Sequence, residues 1–255
     1  MKRLWTRDEL ILTFNLYLKL PFGQLHKGRP EVIRLAKLIN RSVNAVALRL
    51  VNFAACDPVL KNRGIKGMSG GLKQCQPIWE EFYHDREHLL YESELILARL
   101  ENINLEKRYE IDIDQLQGKL GMEKDAIIRR RVNQDVFRAI VLANYNYKCA
   151  ITGIDIDQLL VASHIKPWAL DERARLDPQN GLCLSSLYDK AFDSGLISFD
   201  EDLRLIYSSK ITEKYESKYF KKFFKPYEKA KLTLPLKYNP NQIYISWHRN
   251  NIFKK

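Results

Sequence analysis

The residues best able to do chemistry in this 255-residue chain lie between positions 159 and 199. His164 ends a short apolar run, Asn180 begins a second one, and Asp189 and Asp193 follow four residues apart. An imidazole titrates near neutral pH, so it can take a proton from water. Carboxylates are the ligands that hard cations such as Mg²⁺ prefer. Together these residue types suit hydrolysis assisted by a divalent metal ion.

The elements that carry these residues are predicted in the order strand, long loop, strand, helix. Residues 159–162 and 182–184 are short apolar runs typical of buried strands. Ser185 or Ser186 can cap the helix that follows. The two aspartates share one face of that helix because they are one turn apart. Since the second strand leads into the helix, we expect both carboxylates to return towards the histidine.

The segment resembles the HNH, or ββα-metal, nuclease motif in the form AxHI.PW … NGL.L … D..FD.G, which occurs in bacterial restriction endonucleases. The three letters of the motif name fall on His164, Asn180 and the position of Asp189, where the name-giving family has a second histidine. The resemblance is good from Val132 to about Ser209. It implies a metal-dependent DNA endonuclease of restriction or phage-defence type.

The resemblance also implies a role for each residue of the motif. His164 would be the general base, Asn180 would fix the loop that orients it, and Asp189 would bind one divalent ion, Mg²⁺ or Mn²⁺. Asp193 matches a position that supplies a further metal ligand in some branches. Ser163 stands where the family usually has an Asp or His ligand. A hydroxyl is a poor ligand, so either Asp193 or water replaces it, or the metal binds weakly.

Each of these residues also has an ordinary structural explanation. The two aspartates could form a solvated helix face, and His164 could be a core histidine. Their order and spacing together favour the nuclease. Two alternatives stay open, a homing or mobile-element nuclease and a DNA-binding regulator on a degenerate HNH scaffold. The departure at Ser163 supports the regulator, and the intact set of His164, Asn180 and Asp189 argues against it.

The charge of the chain favours a polyanionic partner. The net charge is +11, with +7 in residues 1–90, −4 in residues 91–125 and +8 in residues 126–255. No secretory signal opens the chain and no apolar run is long enough for a membrane span. We therefore expect a cytoplasmic protein that binds double-stranded DNA and no membrane.

The cysteines show neither a CxxC pair nor a short-range pairing with histidine, and no structural zinc is expected. They are Cys56, Cys75, Cys149 and Cys183. In a cytoplasmic protein we expect them to be reduced.

The patterning predicts an α+β protein with a helical N-terminal domain and a C-terminal ββα-metal nuclease domain. Residues 1–90 are similar to a helix-turn-helix domain that reads DNA, with a small protein-interaction domain as the alternative. Residues 91–125 are predicted to be an acidic helical spacer or a dimer-forming arm. Residues 126–255 form the predicted nuclease domain. One HNH motif cuts one strand, so a homodimer is the expected partner arrangement.

Seven side chains are candidates for contacts with DNA. In the helix-turn-helix reading, Arg41 would bind a phosphate while Asn44 and Arg49, together with Asn52, would face the bases. On the long loop of the nuclease motif the candidates are Lys166, Arg173 and Arg175. The glycine-rich basic stretch at residues 61–71 could follow a phosphate backbone, cover a bound substrate, or simply be mobile.

Overall fold

The computed structural model describes residues 3–21, 23–111 and 121–254. Contacts divide the chain into an N-terminal unit, Met1–Ile140, and a C-terminal unit, Val141–Lys255. The division falls inside a long helix and therefore later than the boundary predicted between residues 125 and 126. Among the described residues, no helix is both long and apolar enough to cross a membrane.

The described part of the N-terminal unit is helical. Its helices are α1 (Arg7–Lys19), α2 (Pro30–Leu38), α3 (Val43–Cys56), α4 (Pro58–Asn62), α5 (Leu72–Phe82), α6 (Arg86–Glu101), α7 (Leu105–Arg108) and the first part of α8 (Met122–Asn144), with a 3-10 turn at Ser69–Gly71.

Local signals explain where the first three helices begin. Thr6 and Glu9 form a capping box at the start of α1, in which each side chain accepts from the other residue's backbone N–H. Pro30 occupies the first turn of α2, where its missing N–H costs nothing. Ser42 caps α3 by accepting from the Ala45 N–H at 3.2 Å.

The core of the N-terminal unit forms where α1 packs against α3, α5 and α6. Phe14 stacks on Phe53 at 4.9 Å and contacts Trp79 at 4.8 Å between ring centroids. Because α6 packs on α1, residues 86–101 belong to this compact unit and do not form a separate spacer. Of the predicted spacer 91–125, residues 112–120 lie outside the described residues.

The C-terminal unit combines small antiparallel sheets with helices, as an α+β fold does. Its elements are the end of α8, β1 (Leu160–His164), β2 (Gly181–Ser185), α9 (Ser186–Asp193), β3 (Ile197–Phe199), β4 (Leu205–Tyr207), α10 (Ser209–Thr212), α11 (Lys218–Phe223) and α12 (Gln242–Asn251), with 3-10 turns at Asp157–Leu159, Pro178–Asn180 and Lys225–Tyr227.

The predicted order of strand, loop, strand and helix is present. β1 and β2 pair antiparallel, with His164 opposite Gly181 and Leu160 opposite Ser185. α9 follows β2 directly and packs on both strands. β3 and β4 form a second antiparallel hairpin, and α12 packs against β3. The core includes Phe192 on α9, which is fully buried.

Candidate active site

His164 is held at the end of β1 by a backbone group of the long loop. Its Nε2 lies 2.9 Å from the carbonyl oxygen of Arg175. A carbonyl can only accept, so Nε2 carries the proton in the neutral ring and Nδ1 is the basic nitrogen. Burial lowers the pKa of His164, and the bond to the carbonyl offsets part of that effect. The imidazole is therefore neutral near pH 7, the state in which it can accept a proton.

Asn180 ties the two ends of that loop together. Its Oδ1 accepts from the Lys166 N–H at 2.8 Å, and its Nδ2 donates to the carbonyls of Lys166 and Ala174, both at 3.0 Å. The side chain is fully buried, so every one of these bonds forms away from water. Since Ala174 precedes Arg175, Asn180 supports the carbonyl that orients His164.

Trp168 forms the wall beside the histidine. Its ring meets the His164 ring edge-on, at 5.6 Å between centroids and 90° between planes. Arg175 donates from Nε to the Trp168 carbonyl at 2.8 Å and lies 5.6 Å from the Trp168 ring centroid. These contacts order the part of the loop that faces the His164 ring.

Asp189 and Ser163 approach each other across the junction of α9 and β1. Burial raises the pKa of the Asp189 carboxyl, and the nearby Ser163 hydroxyl offsets part of that increase. Ser163 is buried, and its Oγ has no hydrogen bond of standard geometry. The two groups are thus neighbours without a well-aligned bond, so this pair has acceptor and donor capacity left for a third group.

Asp193 lies close enough to Asp189 for the two charges to interact. Burial raises the pKa of the Asp193 carboxyl, and the Asp189 carboxylate raises it further. The residue as a whole is exposed, so the effect applies to a carboxyl that is shielded on one side only. A cation bound between two such carboxylates offsets the repulsion between their charges.

The donor set fits a hard cation with an incomplete protein shell. Among the described residues, no group of three or more His, Cys, Asp and Glu side chains is arranged around a metal position. Asp189 and Asp193 offer carboxylate oxygens, and Ser163 offers a buried hydroxyl that makes no hydrogen bond of standard geometry to the described residues. Mg²⁺ commonly keeps several waters and takes only one or two carboxylates. The residues present therefore suit such an ion.

The basic candidates on the long loop differ in how they are engaged. Lys166 forms an ion pair with Asp171 at 2.7 Å. Arg173 is exposed, whereas Arg175 is half-buried and bonded to the Trp168 carbonyl. Of the three, Arg173 is the one whose charge faces solvent most fully.

The predicted DNA contacts of Arg41 and Arg49 need correction. Arg41 pairs with Glu9 at 2.7 Å, and its side chain is only 10% exposed. Arg49 is buried and donates to the Gln74 side chain at 2.9 Å. Both guanidiniums stack on the Trp5 ring, at 4.5 and 4.7 Å. They are engaged inside the N-terminal unit because a buried guanidinium needs such partners.

The two other polar residues predicted on α3 have different surroundings. Asn52 is also buried, and its Nδ2 donates to the Met68 carbonyl at 2.7 Å. Asn44 is exposed near the start of α3. Its contact with DNA stays a prediction.

Sequence reasoning missed the backbone contact that orients the histidine. Arg175 was singled out for its charge, but its carbonyl is what His164 meets. No side-chain pattern can signal a carbonyl contact across eleven residues of loop. The proximity of Ser163 and Asp189 was signalled only indirectly, through the strand-to-helix order of the segment.

Residues 149–200 match a family model described as HNH endonuclease. The match covers 52 residues of the 255 and includes β1, β2 and α9. No curated protein sequence matches the chain. The HNH resemblance noted in the motif is confirmed, while its restriction-type form stays a prediction.

Proposed function

We propose, on the premise that residues 149–200 form an HNH endonuclease domain, that this protein is a metal-dependent endonuclease that hydrolyses phosphodiester bonds in double-stranded DNA. The observation that carries the proposal is the orientation of His164 by the Arg175 carbonyl. That contact assigns the basic nitrogen of a neutral, half-buried histidine within the matched segment. The contact leaves Nδ1 as the nitrogen that accepts a proton, as a general base requires.

In the proposed reaction, His164 Nδ1 accepts a proton from the attacking water. The water oxygen forms a bond to phosphorus as one ester P–O bond breaks, and the leaving oxygen is protonated from solvent. A general base of this kind contributes roughly 10²–10⁴-fold to the rate. Asn180 is a positioning residue, since its bonds hold Lys166 and Ala174 on either side of the loop. Trp168 limits the tilt of the imidazole.

Asp189 and Asp193 are the proposed ligands of a Mg²⁺ or Mn²⁺ ion, with Ser163 as a weaker third group or as a partner of a metal-bound water. Such an ion, when bound, stabilises negative charge on the phosphate and on the leaving oxygen. The support is the repulsion between the two carboxylates and the unsatisfied Ser163 hydroxyl. Arg173 is the proposed phosphate contact beside the site.

A role in restriction or phage defence is the biological function that the motif form favours. A homing or mobile-element nuclease would carry the same chemistry. One such site cuts one strand, so we infer that a double-strand break requires two copies of the chain or two visits. The DNA-binding regulator is the candidate from another class, and it differs by having no hydrolytic activity.

The test is cleavage of supercoiled plasmid by the full chain with Mg²⁺, with Mn²⁺ and with excess chelator. The expected result is nicked or linear plasmid with either ion and none with chelator. Full activity in chelator would contradict the metal. Binding of the plasmid without cleavage under any ion would favour the regulator.

A further inference from the structure

The glycine-rich loop of the N-terminal unit is defined here as residues 61–73, from the last residues of α4 to the first residues of α5. Buried polar side chains of α3 hold it in place. Asn52 donates from Nδ2 to the Met68 carbonyl at 2.7 Å. Arg49 donates to the Gly71 carbonyl at 3.3 Å and to the Gln74 side chain at 2.9 Å. Both side chains are more than nine-tenths buried. Buried polar groups of this kind fix the backbone they bond.

Two glycines let the loop lie directly on α3. A Cβ at Gly67 would collide with the Ala55 backbone, and a Cβ at Gly71 would collide with the Asn52 amide. Close approach of backbone to backbone is a principal use of glycine. The loop is therefore a built feature of the surface, and its mobility is restricted at both of these points.

The loop exposes positive charge and no negative charge. Residues 58–79 contain Lys61, Arg63, Lys66 and Lys73 but no Asp or Glu, and all four cations are exposed. In the described part of the chain, no carboxylate pairs with Lys61, Lys66 or Lys73.

Several basic side chains elsewhere in the N-terminal unit are neutralised by carboxylates. Arg41 pairs with Glu9, and Lys19 pairs with the buried Glu94 at 2.5 Å. The loop thus combines uncompensated charge at Lys61, Lys66 and Lys73 with a backbone that buried side chains hold in place. Fixed cations without internal partners are suited to a polyanion.

We propose that the glycine-rich loop binds the phosphate backbone of the DNA substrate. This inference rests on the proposed function for the identity of the polyanion. The loop would add affinity without sequence preference, because phosphate contacts carry no sequence information directly. It would also explain why Arg49 and Asn52 are buried: they position the loop and do not read bases.

The experiment uses the full chain with His164→Ala, so that DNA is bound but not cut. Binding of a fluorescein-labelled duplex of about 20 base pairs is followed by anisotropy over a range of salt concentrations. The loop variant carries Lys66→Gln and Lys73→Gln. The matched control carries Lys27→Gln and Lys37→Gln, two exposed lysines of the same unit. Both variants lose the same net charge.

The expected result is a weaker complex for the loop variant only. Losing two phosphate contacts should lower the slope of log affinity against log salt by about 2 and weaken binding roughly tenfold or more at 0.15 M salt. The control should stay within about twofold of the parent chain. Each variant should unfold at the same thermal midpoint as the parent chain, which verifies that its fold is intact.

Equal weakening in both variants would mean that only net charge matters and would overturn the inference. So would an unchanged loop variant, which would leave the proposed nuclease intact and locate the DNA contacts elsewhere. A parent chain that binds no duplex at low salt would overturn the inference and the proposed function together.

Discussion

His164 Nε2 and the Arg175 carbonyl oxygen are 2.9 Å apart, although eleven residues separate them in the chain. The contact depends on the loop between β1 and β2 having one shape, and Asn180 imposes that shape from the start of β2. The histidine, the carbonyl and the asparagine therefore act as one assembly. The tautomer of the imidazole is therefore set by backbone geometry.

Replacing His164 by alanine should abolish cleavage while leaving DNA binding nearly unchanged. The expected loss in plasmid nicking rate is roughly 10²–10⁴-fold, the contribution of a positioned general base. His88→Ala is the matched control. His88 is exposed on α6, so this variant should cut plasmid at the wild-type rate. A His164→Ala protein that cuts within tenfold of wild type would remove the histidine from the mechanism.

Asn180→Asp should separate the orienting role from simple loss of a side chain. The carboxylate keeps an acceptor for the Lys166 N–H but loses both donated bonds and faces two carbonyl oxygens. We expect a destabilisation of about 2 kcal/mol or more, measured by chemical denaturation. At denaturant concentrations below the unfolding midpoint, where the variant is folded, it should cut plasmid at least tenfold more slowly than wild type. Normal cutting by the folded variant would show that the loop holds its shape without Asn180.

Asp193→Asn should weaken metal binding and not only cleavage. If Asp189 and Asp193 share one ion, removing one charge should raise the dissociation constant for Mn²⁺ about tenfold or more in a calorimetric titration. Burial raises the pKa of both carboxyls, and the Asp189 charge raises that of Asp193 further, so binding should strengthen as the pH rises through the acidic range. Asp155→Asn, an exposed aspartate of the same unit, is the control. An unchanged constant would restrict the site to Asp189 and water.

Local sequence signals are sufficient to predict where the first helices of the N-terminal unit begin. The capping box at Thr6, the proline at residue 30 and Ser42 act within a few residues, so the helices they start are readable from sequence alone. The strand–loop–strand–helix order around His164 is equally local. Contacts made through backbone carbonyls were not predictable, because every residue carries a carbonyl.

The roles of Arg41 and Arg49 could not be predicted for a different reason. A helix-turn-helix pattern tells which residues are polar but not whether a neighbouring segment covers them. Trp5 comes from a distant part of the chain and covers both guanidiniums, and the glycine-rich loop accepts a bond from Arg49. Long-range contacts of this kind decide whether an arginine faces DNA or the core.

The two units should lose stability in different pH ranges. In the C-terminal unit, His248 is buried, stacks on Phe192 at 3.6 Å and has Nε2 3.1 Å from the Phe192 carbonyl. Burial lowers its pKa from 6.5 to about 4. In the N-terminal unit, the buried Glu94 pairs with Lys19 and Arg108. Burial disfavours its charge, but the pairs more than offset this and lower its pKa from 4.5 to about 2.

Both shifts have the same sign in their effect on stability. Each folded-state pKa lies below the unfolded value, so the unfolded chain binds more protons and stability falls as the pH falls. The stability contributed by neutral His248 is lost between about pH 6.5 and 4. The stability contributed by ionised Glu94 is lost between about pH 4.5 and 2. Each difference between the folded and unfolded pKa corresponds to about 3 kcal/mol in the free energy of unfolding. Thermal unfolding at pH 7.5 and pH 5 should therefore show a lower midpoint at pH 5 for the C-terminal unit. His248→Gln should lower the midpoint at pH 7.5 but shrink the difference between the two pH values, since glutamine does not titrate. A difference of unchanged size in that variant would assign the acid sensitivity to another group.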